Sequence, residues 1–427
     1  MDSAQEGTTS QAQHDDIPAE RPGWKRDVAI FLSGQTISLL GSMLVMYAVM
    51  WHLTILTGSG TVLMLSLVFG MLPQAVVSIF GGVWADRHNR KLLIMGADTA
   101  IAVATLGLAF LMVSGVDSLW VIYTALAVRS FFAGIQTPAV TAMIPQITPT
   151  SQLMRVKGMF QTVQAGMMLL APAMAAVIYA SMDIVAVFFI DATTALIGVG
   201  LLAFIRVPTI TRSEEEKVSY FGDLVAGVRY IASNPSVKWL TALFALVMLL
   251  TGAPGYLTPL LVVREFGDEV WKLTVNELAW GVGFLAAGAL VSVLGPRIRR
   301  RVLFVVLSLL ASAVLTAALG IAPNLLLLCI VGALVAATYS LMNAPTMTIL
   351  QERVEPEMQG RVFGFVGIVM ATAMPLSMVI FGPLADVWSE RVVIVFAGLL
   401  LVATLLAIFS IPSARRSLAA VDAPVEA

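Results

Sequence analysis

The feature that most constrains this chain is a series of twelve apolar runs, each close to 20 residues or longer. A helix needs about 20 apolar residues to cross the hydrocarbon core of a membrane, which is about 30 Å thick. Lipid offers no hydrogen-bond partner to the backbone, so such segments must be helical. The sequence therefore predicts an all-α polytopic membrane protein with twelve transmembrane helices. Their approximate bounds are 27–51, 61–84, 92–114, 118–144, 156–180, 184–206, 238–263, 276–296, 302–321, 323–350, 359–383 and 391–412.

Composition excludes several other classes of protein. Hydrophobic residues make up 59% of the chain and charged residues only 12%, whereas soluble domains carry about 25% charged residues. The formal net charge of -1 gives no sign of a nucleic-acid partner. Cys329 stands alone, and the three histidines are far apart in the sequence. We therefore expect no enzymatic activity, no metal, no cofactor and no nucleic acid.

The distribution of lysine and arginine predicts the orientation in the membrane. With a cytoplasmic N-terminus, 21 of the 25 basic residues lie in inner segments, three lie in outer loops, and Arg129 lies within a span. Inner loops of membrane proteins are enriched in Lys and Arg, so both termini are expected in the cytoplasm. The polar N-terminal stretch lacks the apolar region of a signal peptide, so the first run is expected to be a retained span.

The longest break between runs divides the chain into two halves. Within this break Leu224, Val228 and Ile231 recur at helical spacing, which predicts an amphipathic helix over 218–233 on the inner membrane face. We expect it to be a packing connector rather than a regulatory element. The predicted organisation is a cytoplasmic tail (1–26), a six-helix bundle (27–207), a linker (208–237), a second six-helix bundle (238–412) and a second tail (413–427).

The two halves also resemble one another in sequence. A shift of 206 or 207 residues aligns three pairs, namely Pro138 with Pro345, Arg155 with Arg361, and Gly158 with Gly364. Parallel repeats of this kind are typical of transporters built from two similar bundles around a central site. The repeat predicts pseudo-symmetric halves with a substrate cavity between them.

The loop after the second span carries a family signature. It reads Gly-Gly-Val-Trp-Ala-Asp-Arg-His-Asn-Arg-Lys over 81–91 and resembles the major facilitator motif G-x-x-x-D-R-x-x-R-K. The resemblance implies a conformational gate, in which the acid caps the helix that begins near Arg361 when the outside is open. A helix N-terminus favours an anion. The basic residues could alternatively serve only as topology signals. The matching residues are Gly82, Asp86, Arg87, Arg90 and Lys91.

Three segments narrow the resemblance to one branch. FLSGQTISLLGSMLVMYAVMWHLT, GGVWADRHNRKLLIMGAD and QERVEPEMQGRVFG are similar to the bacterial macrolide-efflux and enterobactin-exporter branch. The resemblance implies a monomeric inner-membrane antiporter that uses the proton gradient to export hydrophobic or amphiphilic small molecules, with multidrug resistance as the outcome. Its partners would be the substrate, protons and membrane lipid. Lipid or lysophospholipid flipping and uptake are the alternatives, and a non-transporting receptor is a more distant one.

The chain departs from two further superfamily patterns. The antiporter signature G-x-x-x-G-P-x-x-G-G of span five appears here as Ala171-Pro172-Ala173, and alanine keeps that helix surface small. In span four the family pattern R-x-x-Q-G keeps Arg129 but lacks the glutamine at that spacing.

Four ionisable residues stand out within the predicted spans: Asp98, Arg129, Asp191 and Glu277. Each costs a few kcal/mol in hydrocarbon and therefore needs a partner or a role. Arg129 and Asp191 are candidates either for coupling or for a structural ion pair, with Asp191 the first candidate for the proton carrier. Asp98 is expected in the inner charge cluster with Arg87 or Lys91. Glu277 is expected at the start of span eight, near the outer surface.

Polar residues at helical spacing are candidates for the cavity lining, with helix packing as the alternative. The candidates are Gln35, Ser38 and Ser42 on span one, Tyr339 and Asn343 on span ten, and Met374 on span eleven. Methionine suits an adaptable apolar pocket. Proline within a membrane helix often bends it. The residues expected to do so are Pro138, Pro172, Pro345 and Pro375.

Overall fold

A computed structural model describes residues 22–205, 207, 220–298 and 300–421. The described residues form α-helices and short helical turns, with no strand among them. The helices are α1 Trp24–Thr57, α2 Gly60–Arg87, α3 Arg90–Val113, α4 Leu119–Ile147, α5 Leu153–Ser181, α6 Ile184–Ala203, α7 Tyr220–Ser233, α8 Pro235–Leu261, α9 Val270–Leu294, α10 Arg301–Gly320, α11 Leu325–Arg353, α12 Pro356–Val387, α13 Glu390–Ser410 and α14 Pro412–Val421.

The predicted fold class is confirmed. Twelve of the described helices are long and apolar enough to cross a membrane, and each of them overlaps one predicted span. The apolar runs located these helices because hydropathy is a local property of the sequence.

One predicted boundary was wrong in a way that matters for function. The eighth spanning helix, α9, begins at Val270 instead of 276. Its first turn contains Lys272, whose ammonium lies 2.5 Å from the Glu269 carboxylate and also bonds the Phe266 carbonyl. These charges lower the mean hydropathy of the segment, so a hydropathy window does not detect the start of the helix. Glu277 therefore lies about two turns inside the helix and not at its start.

Short polar side chains fix where the helices begin. Asn89 accepts hydrogen bonds from the backbone at the start of α3, and Asn324 does the same for α11. Asp183 and Ser389 cap α6 and α13. Each cap satisfies backbone N–H groups that have no partner within the helix, and contributes about 1 kcal/mol.

The helices form two groups, α1–α6 and α8–α13. We call the end of the molecule that carries Trp24 and Val421 the terminal end and the opposite end the distal end. At the terminal end α7 packs on α12 and α8, and α14 packs on α8. Helix α7 lies within the segment that the sequence analysis assigns to the linker; residues 1–21, 208–219 and 422–427 of that predicted organisation lie outside the described residues.

The two groups meet along two pairs of helices, α2 with α12 and α5 with α9. Small residues allow both approaches. A Cβ atom on Gly281 of α9 would lie 3.2 Å from the Met168 carbonyl oxygen of α5 and 2.7 Å from the Leu169 side chain. In lipid, apolar surfaces gain little by leaving the solvent, so helices associate through close packing of small residues.

Close glycine packing also operates within each group, and it generates a first prediction. A Cβ atom on Gly283 of α9 would lie only 2.0 Å from the Ala333 carbonyl oxygen of α11, whereas one on Gly288 of the same helix would meet Ser340 at 3.9 Å. We expect Gly283→Ala to destabilise the protein by about 1–3 kcal/mol through overpacking. The matched control Gly288→Ala should be neutral or slightly stabilising. Thermal unfolding in detergent measures both; equal melting temperatures would contradict the packing.

Candidate functional site

A buried polar ladder joins α3 and α4 in the first group of helices. Asp98 and Thr105 are seven residues apart on α3, and Arg129 and Gln136 are seven apart on α4, so each pair shares one helix face. The helices run in opposite directions, which sets Asp98 against Gln136 and Thr105 against Arg129. The Gln136 amide donates to Asp98 Oδ1 at 2.5 Å, and Arg129 donates to the Thr105 hydroxyl oxygen.

Helix α6 completes this ladder with Asp191. Arg129 forms an ion pair with Asp191 Oδ2, and the Thr105 hydroxyl donates to the same oxygen at 3.0 Å. The Asp191 side chain is 1% exposed. A Cβ atom on Gly41 of α1 would lie 2.0 Å from the Thr194 hydroxyl and 3.0 Å from Asp191 Oδ1. Glycine is therefore what allows α1 to pack directly over the ion pair.

Asp98 does not lie in the inner charge cluster with Arg87 or Lys91 that its position in the sequence predicted. Asp98 is 2% exposed and faces Gln136 and Ser38, two turns away from the charged end of α3. Lys91 donates instead to the carbonyl oxygens of Ala203 and Ile205, at 2.7 and 2.9 Å. A lysine at the helix start is free to bond these carbonyls at the end of α6, so it does not need the carboxylate.

A second polar cluster lies where the two groups of helices meet. Tyr47 of α1 interacts electrostatically with Glu277 of α9 and Tyr256 of α8. On α11, Tyr339 donates to the Met248 sulfur at 3.0 Å and packs edge-on against a ring of α9, with 5.5 Å between ring centroids. Asn343 hydrogen-bonds the Tyr339 hydroxyl. One acid and three phenols thus come from four different helices.

A cavity of about 830 Å³ opens between the terminal halves of α1 and α5. The Thr36 hydroxyl donates to the Leu32 carbonyl at 2.6 Å, and the Thr162 hydroxyl donates to the Gly158 carbonyl at 2.9 Å. Because these hydroxyls are bonded within their own helices, the lining is largely apolar. The lining residues are Leu32, Ser33, Thr36, Ile37, Gly158, Met159, Thr162 and Val163.

The face of α1 that lines this cavity differs from the predicted one. Gln35 and Ser38 are buried, and Ser38 packs against Gly198 of α6 and lies beside Asp98. Ser42 is half-buried. The polar pattern grouped Gln35 and Ser38 correctly on one face of α1, but that face packs inside the first group of helices and does not line the cavity. Met374 lies on the side of α12 that packs against Gly252 of α8.

The signature residues lie at the terminal end. Asp86 pairs with Arg90 at 3.3 Å, and the Arg90 guanidinium also donates to the Ala142 carbonyl at 2.8 Å. Arg361, at the start of α12, pairs with Asp223 of α7 at 2.8 Å. Arg87 is exposed and Gly82 is half-buried. The four prolines expected to bend helices lie inside α4, α5, α11 and α12.

Several residues of these clusters were missed from the sequence. Gln136 and Thr105 could have been found by their seven-residue spacing from Arg129 and Asp98, since that spacing returns to the same helix face. Another cluster, Arg264 with Asp386 and Glu390, closes the distal end. Within the described residues, no group of three or more His, Cys, Asp or Glu side chains could hold a metal ion.

Comparison of the chain with known proteins identifies its family. The model of the Major Facilitator Superfamily matches residues 29–378 and 271–423. Macrolide efflux protein A of Streptococcus pyogenes is 27% identical over 366 residues, which covers 85% of this chain and 90% of that protein. The multidrug efflux pump Tap of Mycobacterium bovis is 26% identical over 361 residues, covering 81% and 84%.

Solved structures of transporters share the fold. A bacterial homologue of the human lysosomal transporter Spinster, in an inward-facing and unoccupied conformation, superposes with a TM-score of 0.67 and 13% identity, covering 95% of this chain and 100% of that one. A POT family transporter in complex with a thioalcohol-conjugated peptide gives a TM-score of 0.71 and 12% identity, covering 90% and 96%. At these identities the likeness shows the fold alone.

The ion pair between Arg129 and Asp191 generates a second prediction. Arg129→Gln leaves a buried carboxylate without its cation, so we expect a loss of about 3–5 kcal/mol in stability. The double variant Arg129→Gln/Asp191→Asn removes both charges and should recover most of that loss. Arg301→Gln is the control, because its pair with Glu352 is exposed and worth less than about 1 kcal/mol. Thermal unfolding in detergent measures these losses in stability. A double variant that loses as much as its two single substitutions together would contradict a coupled pair.

Proposed function

This chain belongs to the major facilitator superfamily, and on that premise we propose that it exports hydrophobic or amphiphilic small molecules in exchange for protons, by alternating access. The cavity between α1 and α5 is the observation that carries this proposal. It is an open groove of about 830 Å³, a space comparable with the volume of about 300–1,000 Å³ of sites that hold drug-sized ligands. The hydroxyl groups of Thr36 and Thr162 are engaged within their own helices, so the surface offered to a solute is mainly apolar.

The end at which the molecule is closed supports the proposed direction of transport. At the distal end α2 and α12 are in backbone contact through Gly60 and Gly382, while the cavity lies in the terminal halves of α1 and α5. The lysine and arginine distribution supports a cytoplasmic terminal end in a bacterial inner membrane. In this orientation the cavity would load from the cytoplasm, as an exporter requires.

The substrate class is supported by the lining and by the relatives. A cavity with few free polar groups selects apolar solutes and orients them with a small number of hydrogen bonds. The relatives named for macrolide and multidrug efflux span most of this chain. We therefore propose large, mainly apolar compounds of the macrolide type as substrates, with Tyr339 and Asn343 of the second group of helices as candidate polar contacts.

For the proton we propose Asp98 as the carrier. Its described partners, Gln136 and Ser38, are uncharged, and its Oδ2 atom has no hydrogen-bond partner among the described residues. Gln136 and Ser38 remain adequate neighbours whether Asp98 is charged or neutral. Protonation of Asp191 would instead leave the Arg129 guanidinium without its counter-ion, which is costly inside a membrane.

The transport activity itself is the third prediction. Inverted membrane vesicles that contain the protein should accumulate radiolabelled erythromycin when an inward-acidic pH gradient is imposed, and a protonophore should abolish the accumulation. Asp86→Asn should lower the rate at least about tenfold if Asp86 forms a charge-dependent contact between the halves. Asp183→Asn is the control, since Asp183 caps only its own helix, α6.

The same vesicles test the main alternative. Absence of gradient-dependent accumulation across a panel of bulky amphiphiles, together with an altered leaflet distribution of a labelled lysolipid, would replace the export proposal with lipid movement.

The fourth prediction concerns coupling. Asp98→Asn should abolish accumulation driven by the pH gradient and still permit exchange of labelled for unlabelled substrate at equal concentrations, because exchange needs no net proton movement. Asp191→Asn should lower both activities, since it leaves Arg129 unpaired. If Asp98→Asn accumulates substrate at the normal rate while Asp191→Asn loses only accumulation, the proton site moves to Asp191. Glu277→Gln is the next variant if neither shows the effect.

A further inference from the structure

The distal end is closed by a carboxylate from one half that caps a helix of the other half. Asp386 lies in the last turn of α12 and accepts three hydrogen bonds from the start of α2. The donors are the Ser59 hydroxyl at 2.9 Å, the Gly60 amide at 2.7 Å and the Thr61 amide at 2.8 Å. The first amides of a helix have no partner within it, and the helix dipole favours an anion there. This cap therefore joins the two halves through charge and hydrogen bonds together.

Arg264 reinforces the same contact from the end of α8. Its guanidinium donates to Asp386 Oδ1 at 3.1 Å and to Glu390 at 2.6 Å, both in its own half. It also donates to the Gly58 carbonyl oxygen of the other half, at 2.9 Å from Nε and 2.6 Å from the guanidinium nitrogen Nη2. One arginine thus orients the capping carboxylate and bonds the turn that the carboxylate caps.

Two glycines allow the backbones to come this close. A Cβ atom on Gly60 would lie 2.3 Å from the Gly382 carbonyl oxygen, and one on Gly382 would lie 2.8 Å from the Gly60 carbonyl oxygen. Any larger side chain at either position would push α2 and α12 apart and lengthen the bonds to Asp386.

The helices that make this contact carry the same sequence pattern. A shift of 300 residues places the end of α2 on the end of α12 and places Gly60, the first residue of α2, four residues after the start of α12, with four identities. The aligned pairs are Gly60 with Gly360, Gly82 with Gly382, Ala85 with Ala385, and Asp86 with Asp386. Since α2 and α12 run in opposite directions, each begins where the other ends. The terminal end therefore holds a second copy of the acid, at the end of α2, opposite the start of α12.

The two copies are in different states in this structure. At the terminal end the Asp86 side chain is 51% exposed and pairs with Arg90 of its own half. A Cβ atom on Gly360 would meet no described atom within 4 Å, in contrast to Gly60. Arg361, beside Gly360, pairs with Asp223 of α7. The start of α12 is open where the start of α2 is closed.

We propose that Asp386, together with Arg264 and the two glycines, forms a distal lock that is the counterpart of the gate implied for the terminal end by the motif over 81–91, and that the two locks are used alternately. The distal lock, in which Asp386 caps α2, holds the state described above. The terminal lock, in which Asp86 caps α12, holds the opposite state, and a rocking of the halves that forms one lock separates the other. Matching the two ends with the same chemistry keeps the two states close in free energy, which lets a substrate or a proton shift their populations. The inference rests on the alternating-access part of the proposed function and not on the substrate or on protons.

The test is a distance measurement between spin labels on the full-length protein in detergent, without substrate or pH gradient. Val116→Cys and Asp268→Cys, in a Cys329→Ser background, place one label on each half at the distal end. Without further substitution we expect the short distance to predominate over a smaller population at long distance. Asp386→Asn should raise the ratio of long to short distances about tenfold, the effect of losing hydrogen bonds to a charged group. The control Asp183→Asn neutralises another distal acid that bonds only its own helix, and should change nothing.

Reciprocity is the decisive part of the test. Adding Asp86→Asn to Asp386→Asn should remove the long-distance population again, because the terminal lock that holds the distal end open is then lost. Gly60→Ala should produce the same long population without altering any charge, and serves as the second variant if Asp386→Asn does not yield folded protein. An unchanged distribution in monodisperse Asp386→Asn or Gly60→Ala protein, or a double variant that opens further, overturns the proposal. The two proposals can fail separately. Failure of vesicles to accumulate erythromycin would refute the proposed substrate or the proposed coupling, whereas the distances between the spin labels would not change.

Discussion

The rest of the structure depends on the inability of lipid to hydrogen-bond the protein backbone. Each spanning segment must satisfy its own amides and carbonyls, so every segment is a helix. The same solvent removes most of the hydrophobic driving force between helices, because lipid is as apolar as a leucine side chain. What remains is close packing at small residues and a few polar bonds. The contact between Gly60 and Gly382, capped by Asp386, contains both of these elements in one place.

Buried charge is confined to places where a partner from another helix is available. Arg129 and Asp191 neutralise one another between α4 and α6, and Thr105 of α3 bonds both. This arrangement ties three helices of one half together through a buried ion pair and a shared hydroxyl group. The contact between the two halves is made mainly along α2–α12 and α5–α9.

The two ends of the molecule have the same chemistry in different arrangements. At the distal end a carboxylate caps the neighbouring half, while at the terminal end the matching acid pairs with Arg90 of its own half. The apolar cavity lies toward the end that is not capped. The closed end is held by the three hydrogen bonds to Asp386 and by the close approach of Gly60 and Gly382.

The sequence by itself determined the membrane spans, the two halves and the family, because hydropathy and the motif at Gly82 to Lys91 are local features that need no knowledge of neighbours. Helical spacing also grouped residues correctly on one face, as for Gln35 and Ser38. Only the tertiary structure decided which neighbour each face meets: Ser38 faces Asp98, and Asp98 bonds Gln136 instead of Lys91. It also decided that Glu277 lies two turns inside its helix. In a membrane, lipid and protein interior are both apolar, so a helix face that looks outward and one that looks inward carry similar residues, and only packing distinguishes them.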